Sequence, residues 1–268
     1  MKDIILITSA KGGTGKTAVT AALGAALAGM NEKVLLIDMN FGFRNLDVVT
    51  GLENIIFNNA FDAIKKKCAL SEAAIMDKNN EGLYILPSPQ TKDDSDITAD
   101  EFKEFIDEIK DDFDYILIDI GGCSKTGINN VIKSVTRAVV ITTAEVMSVR
   151  NNDKLISKLR HAGLFNVSMV INRLKKDLLD KNDLMSPEDV KEIISADLIG
   201  IIPEDDKAYV LINQGKTLKR DECEAAGCIN NIAKRIEGEE VPLEDFGSKK
   251  GFFERFAGIF KKKDNNLK

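Results

Sequence analysis

The sequence predicts an α/β protein: a doubly wound, mostly parallel sheet with helices on both faces. Two observations carry that expectation. Short, β-branched apolar runs recur through the 268 residues, and stretches with helical periodicity separate most of them. The runs are continuously apolar rather than alternating, which is the pattern of strands covered on both faces.

The elements follow in order. IILIT (4–8) and VLLID (34–38) are the first two strand candidates, separated by an alanine-rich helical stretch over 16–30. LYIL (83–86) and YILID (115–119) come next, with a helix expected over 99–111 between them. AVVITT (138–143), VSMVIN (167–172) and LIGIIP (198–203) complete the set, the last two flanking a helix over 187–195. That helix carries its own start signal in SPEDV: Ser186 caps it, Pro187 fits its first turn, and Asp189 stands at the capping-box position.

With 44% hydrophobic and 30% charged residues, the chain is expected to bury one full core, in a single large domain over 1–246. Gly247 and Ser248 read as a short linker to a basic, aromatic end over 249–268. Four cysteines (Cys68, Cys123, Cys223, Cys228) and the single histidine, His161, support neither a disulfide framework nor a zinc site, so a reducing compartment is expected. MKDIILIT enters the first strand without the basic region and cleavage site of an export signal, and no apolar run nears the ~18 residues of a spanning helix. The expected location is cytoplasmic.

The net charge of −6 hides an asymmetry: residues 249–268 hold seven Lys/Arg and two acidic residues, which leaves −11 for the rest of the chain. A body so charged repels nucleic acid, and none is expected as a partner. The tail, by contrast, is suited to an anionic surface.

Between the first strand and the first helix lies SAKGGTGKTA, residues 9–18. Read alone, GGTGKT is a weak match, and a glycine-rich turn without a ligand is the bland alternative. Its place between strand and helix favours phosphate: the backbone N–H groups of Gly12, Gly13, Thr14, Gly15 and Ala18 converge on phosphate oxygens where the helix dipole adds a favourable field. Lys16 neutralises terminal phosphates, and Thr17 is placed to ligate Mg²⁺.

An ordinary loop of this kind needs one lysine, and this one has a second, Lys11, in K-G-G-T-G-K-T. Here the sequence resembles the deviant Walker A ATPases, the MinD/ParA group of P-loop NTPases. The resemblance implies ATP and Mg²⁺ as cofactors and a homodimer in which Lys11 reaches the phosphates bound by the other subunit. A cation delivered in that way makes dimerisation depend on nucleotide and stabilises transition-state charge.

Asp38 and Asp119 end two apolar strands, where carboxylates of a doubly wound sheet face bound nucleotide. Asp119 after YILI resembles the Walker B aspartate that holds the Mg²⁺ shell, and Asp38 is expected in the same shell. INRL (171–174) and IPED (202–205) resemble the group's adenine-contact segments, which assigns Asn172 and the backbone around Pro203 and Asp205 to the base. A guanine-specific N-K-x-D would need aspartate where Lys175 stands, so ATP is favoured over GTP.

FGFRNLDVVTGLEN (41–54), LYILPSPQTKD (83–93), DLMSPEDVKEII (183–194), IGIIPEDD (199–206) and GEEVPLEDF (238–246) narrow the resemblance to the division-site-selecting branch of the group. That implies a role in placing the septum, a MinC-like division inhibitor and an activating partner, met through Arg44, Asn45, Asp47, Arg150, Asn151 and Asp153. Asn40 replaces the usual second aspartate of D-x-D, a position associated with orienting the attacking water. Slow hydrolysis is expected, since asparagine accepts no proton, with the alternative that Asn40 still positions the catalytic water by hydrogen bonding, as glutamine does in some GTPases. DIGGC and SVRNND also depart from the usual D-x-P-A-G and S-x-R-D-A-D, which suggests a looser switch at Gly121 and Gly122 and altered partner recognition at Asn151.

In KKGFFERFAGIFKKK, Phe252, Phe253, Phe256, Ile259 and Phe260 share one helical face bracketed by lysines. This is the pattern of a short amphipathic helix that lies in an anionic bilayer surface, expected here to be the inner face of the cell membrane, rather than a helix packed on the body. Two such tails on one dimer bind more tightly than one through effective concentration. Other readings are a nucleotide-gated membrane scaffold with little turnover, or a flagellar-placement relative. Cys123 lacks the paired cysteine that an iron–sulfur relative would need.

Overall fold

Strand side chains divide between two apolar layers with the period of two that a β-strand imposes. Ile4 and Leu6 enter one layer while Ile5 and Ile7 enter the other, and Leu35 and Ile37 part from Val34 and Leu36 in the same way. Both faces of the sheet are thus buried, which is why its strands read as unbroken apolar runs. The structure is a computed structural model and describes residues 2–121, 124–181, 183–219 and 221–246.

The chain runs β1 (Asp3–Thr8), α1 (Lys16–Ala28), β2 (Val34–Asp38), α2 (Leu46–Val49), α3 (Ala60–Ile64) and α4 (Leu70–Ala73). It continues through β3 (Ile75–Met76), β4 (Leu83–Leu86), α5 (Ala99–Ile109), β5 (Tyr115–Asp119), α6 (Lys125–Val131), β6 (Arg137–Thr142) and α7 (Val146–His161). Then follow β7 (Val167–Leu174), α8 (Lys176–Asp180), α9 (Pro187–Ile193), β8 (Asp197–Pro203), α10 (Asp206–Asn213) and α11 (Glu224–Ile236).

The strands form one eight-stranded sheet in the order β3-β4-β2-β5-β1-β6-β7-β8, parallel except for β3, which pairs antiparallel with β4 at one edge. All seven expected strands are present within two residues of their bounds, and among the described residues only the two-residue β3 is added. The helix signals hold as well. Ser186 Oγ accepts from the Asp189 N–H at 3.1 Å while Asp189 Oδ2 accepts from the Ser186 N–H at 2.9 Å, a reciprocal capping box under Pro187.

Helices α1 and α11 cover one face; α5, α7 and α9 cover the other. Helix α1 lies close because Gly24 has no side chain: a Cβ there would come within 2.6 Å of Leu36 Cδ2. On α5 the buried residues Phe102, Phe105, Ile106 and Ile109 recur at helical spacing, each worth about 1.5 to 3 kcal/mol of transfer from water. Edge strand β8 is protected by the segment that follows α11. Arg235 donates to Ile199 O of β8 at 2.8 Å and to Val241 O at 3.1 Å, and Glu244 Oε1 accepts from its Nη2 at 3.0 Å.

The parallel register matters most at the carboxyl ends. Asp38 of β2 pairs directly with Asp119 of β5, and Asp119 pairs in turn with Ile7 of β1, next to the strand end from which the glycine-rich loop leaves. One edge of the sheet therefore gathers two carboxylates and the loop.

Candidate nucleotide site

The loop from Ser9 to Gly15 turns because Gly13 and Gly15 adopt φ of +78° and +85°, which side-chain-bearing residues rarely hold. It ends at the first turn of α1, whose 13 residues point their N-terminus at the cradle. Its start is fixed by the helix that follows the neighbouring strand β6: buried Asn152 on α7 accepts from the Ala10 N–H at 2.7 Å and donates to Ile141 O at 3.3 Å. Asn151, expected from the sequence at the partner surface, lies half-buried beside it. The asparagine that touches the loop is the next one, and its one sequence signal was its place in SVRNND at the start of a long helix.

On the metal side, Thr17 Oγ1 donates to Asp119 Oδ2 at 2.6 Å. Asn40 joins the two aspartates, its Nδ2 donating to Asp38 Oδ1 at 2.8 Å and to Asp119 Oδ2 at 2.9 Å. The other Asp38 oxygen accepts from the N–H groups of Asn45 and Leu46 at 3.1 and 3.0 Å, so this carboxylate also holds the start of α2. Asp119 Oδ1, in contrast, is buried with no hydrogen-bond partner among the described residues.

Burial pushes the Asp119 carboxyl up to about 7, helped by the neighbouring Asp38 and opposed by Thr17, Lys16 and Asn40. Burial likewise raises Asp38, against the pull of the Leu46, Asn40 and Asn45 N–H groups. Two desolvated carboxylates side by side, one with an orphaned oxygen, plus a threonine hydroxyl make a hard-oxygen donor set. That fits Mg²⁺, which binds through one or two carboxylates and completes its shell with water and phosphate.

Beside the start of α1, where the base is expected, a cleft of about 610 Å³ is lined by Ala18, Asn172, Pro203, Asp205, Tyr209 and Leu218 among others. Asn172 at the end of β7 donates to Thr14 O at 2.8 Å, so it contacts the phosphate loop as well as the cleft. The Asp205 carboxylate is committed to structure. It accepts from the N–H groups of Lys207, Ala208 and Ala225 at 2.9, 3.1 and 3.1 Å, capping α10 and tying it to α11. Burial works against that charge, but the three N–H groups outweigh it and hold the carboxyl below its usual range. The Asp205 carboxylate is thus engaged within the fold, although the residue lines the cleft.

Lys11 lies at the outer rim of the loop, its Nζ 2.5 Å from Glu145 Oε2 at the start of α7, and both side chains are about half exposed. Glu145 has no motif around it that would mark it in the sequence. Of the residues expected at a partner or switch surface, Arg44 holds a positive φ of +45° and donates from Nε to the buried Asp47 at 2.9 Å. Arg150 is exposed, and Asp153 half-buried on α7. The five apolar tail residues Phe252, Phe253, Phe256, Ile259 and Phe260 lie outside the described residues, as do Gly122 and Cys123.

A parallel sheet with a two-lysine glycine loop at its centre and paired strand-end aspartates beside it defines a P-loop NTPase of the deviant Walker A, MinD/ParA type. A family model described as an AAA domain matches residues 2–168. The septum site-determining protein MinD of Synechocystis is 38% identical over 248 residues, covering 92% of this chain and 93% of the relative. The chain belongs to the MinD family. The structure of a MinC:MinD cell division protein complex from Aquifex aeolicus superposes with a TM-score of 0.84 at 34% identity, covering 91% of this chain and all of that one. MinD of Pyrococcus horikoshii, solved with Mg-ADP, superposes with a TM-score of 0.77 at 27% identity, over 88% of this chain and 96% of the other. Among the described residues, no helix is long and apolar enough to cross a membrane.

Proposed function

We propose that this protein is a membrane-cycling ATPase that dimerises around ATP, docks on an anionic bilayer through residues 249–268 and presents a division inhibitor there. The observation that supports it best is the shared geometry of Lys11, Thr17, Asp38 and Asp119 around one phosphate loop, in a family whose Aquifex member is solved with MinC.

Each role follows from chemistry at the site. Lys16 and the loop N–H groups hold the terminal phosphates; Thr17 and Asp119 would hold Mg²⁺, with Asp38 behind them, and the ion would neutralise charge on the transferred phosphoryl group. Asn172 and the backbone at Pro203 and Asp205 receive the adenine. Lys11 leaves Glu145 for the nucleotide of a second copy, which links dimerisation to ATP. Two tails then act together, since linking two weak membrane sites multiplies their avidity.

Hydrolysis on this reading is slow. The Asn40 amide, at the position expected to orient water, is engaged by both aspartates and carries no carboxylate to take a proton. That engagement favours a second reading, a nucleotide-gated scaffold that loads on membrane with little turnover.

ATP turnover with and without anionic vesicles, for the natural protein and Asn40→Asp, separates the two. Turnover that rises on vesicles supports the cycling ATPase. ATP-dependent vesicle binding with negligible turnover, rescued by Asn40→Asp, supports the scaffold, and absence of ATP-dependent vesicle binding defeats both.

A further inference from the structure

We propose that Arg173 is a positioning residue for the phosphate loop: it pins the Gly13 carbonyl, alongside Asn172 on the Thr14 carbonyl, so that the loop N–H groups face the phosphates. The proposal deepens the nucleotide-binding reading and rests on it.

In a regular strand, consecutive side chains point to opposite faces, so Asn172 and Arg173 should not both reach one loop. They do here. The β7–β8 ladder changes register between Ile171 and Leu174, and Arg173 within that irregularity holds a φ of +57°. The left-handed residue turns the second side chain onto the same loop as the first. Asn172 Nδ2 donates to Thr14 O at 2.8 Å and Arg173 Nη1 to Gly13 O at 3.3 Å.

A non-glycine residue persists at positive φ only where its surroundings hold it there, and such residues concentrate at functional sites. The far end of the side chain is held by Glu204, between Pro203 and Asp205. Its Oε1 accepts from Arg173 Nη2 at 3.0 Å, and its Oε2 lies 3.3 Å from Lys175 Nζ. The arginine therefore spans from the phosphate loop to the base-side loop and lines the clefts on both sides of the loop.

The chemistry explains why carbonyls are the right atoms to hold. A loop cradles phosphate through N–H groups, and each peptide plane that turns its N–H inward turns its C=O away. Donors fixed on two successive carbonyls bias both planes before phosphate arrives, which reduces the ordering needed on binding.

The test is the dissociation constant of a fluorescent ADP analogue, with the thermal midpoint of the nucleotide-free protein measured beside it. Arg173→Met should weaken ADP about three- to tenfold. Arg173→Gly should weaken it similarly while the nucleotide-free midpoint holds or rises, because glycine adopts the left-handed conformation without strain. Glu204→Gln should give a smaller loss that does not add to that of Arg173→Met. AMP, displaced at millimolar concentration, should be nearly unaffected.

Unchanged ADP affinity in Arg173→Gly overturns the brace, as does a loss for AMP as large as for ADP, which would place the defect at the base. A loss that only tracks a fall in midpoint also overturns it. Should the natural protein bind no ADP, the nucleotide reading fails first, and the two failures are thereby distinguished.

Discussion

Lys11 Nζ lies 2.5 Å from Glu145 Oε2, which places the second lysine of the loop on a partner from its own chain, at the mouth of the site rather than within it. The pair is about half exposed, so its contribution to stability is small, on the order of 0 to 1 kcal/mol. Lys11→Ala should therefore leave the thermal midpoint and ATP binding by the monomer nearly unchanged while abolishing ATP-dependent dimerisation, as read by light scattering. A variant that still dimerises would remove Lys11 from the interface.

Replacing the Asn40 amide by a carboxylate puts an acceptor where a donor now serves two buried aspartates. Asn40→Asp should destabilise the protein free of nucleotide and metal by about 1 to 3 kcal/mol. Mg-ADP should recover most of that loss, because a cation then satisfies the carboxylates. Denaturant unfolding with and without Mg-ADP measures both terms, and equal losses in the two conditions would contradict the reading.

The Asp119 carboxyl is raised to about 7 in the fold, chiefly by burial and next by Asp38. Its unfolded value is that of an ordinary aspartate, about 3.9. Between those values the native state binds more protons than the unfolded state, so this group's contribution to stability falls as pH rises from about 4 to about 7 and is level above that. Mg²⁺ binding displaces the proton, so stabilisation by Mg-ADP should grow over the same window. Asp119→Asn should flatten the pH dependence of the thermal midpoint in metal-free protein; an unaltered slope would assign it elsewhere.

Gly51 and Gly215 meet backbone to backbone, with φ of +69° and +66°, and a Cβ on Gly51 would come within 2.6 Å of Gly215 O. This contact joins the segment after α2, whose start Asp38 holds, to the end of α10, which lines the cleft beside α1. Gly51→Ala should cost about 2 to 4 kcal/mol, from strain and from a clash with backbone that has no side chain to move aside. Because one seam is involved, the double change with Gly215→Ala should cost less than the sum of the two. Equilibrium unfolding of the four proteins checks this, and full additivity would show the seam to be two independent sites.

The sequence by itself determined the strands, their burial on both faces, the phosphate loop and the strand-end aspartates Asp38 and Asp119. Each is written in contiguous residues: apolar runs, glycines between strand and helix, a capping box at Ser186. Only the tertiary structure decided what stands around them. Glu145 reaches Lys11 across 134 residues of chain, and Asn152 reaches Ala10 across 142. No local pattern marks such a pair, because its geometry is set by which strands are neighbours and in what register. The same holds for Asp205, expected from the sequence at the base, whose carboxylate is occupied by N–H groups up to 20 residues away. It holds too for Arg173, whose aim depends on an irregularity between two strands. Local periodicity fixes elements, while packing fixes partners, since a side chain's neighbours exist only once the sheet has closed around the loop.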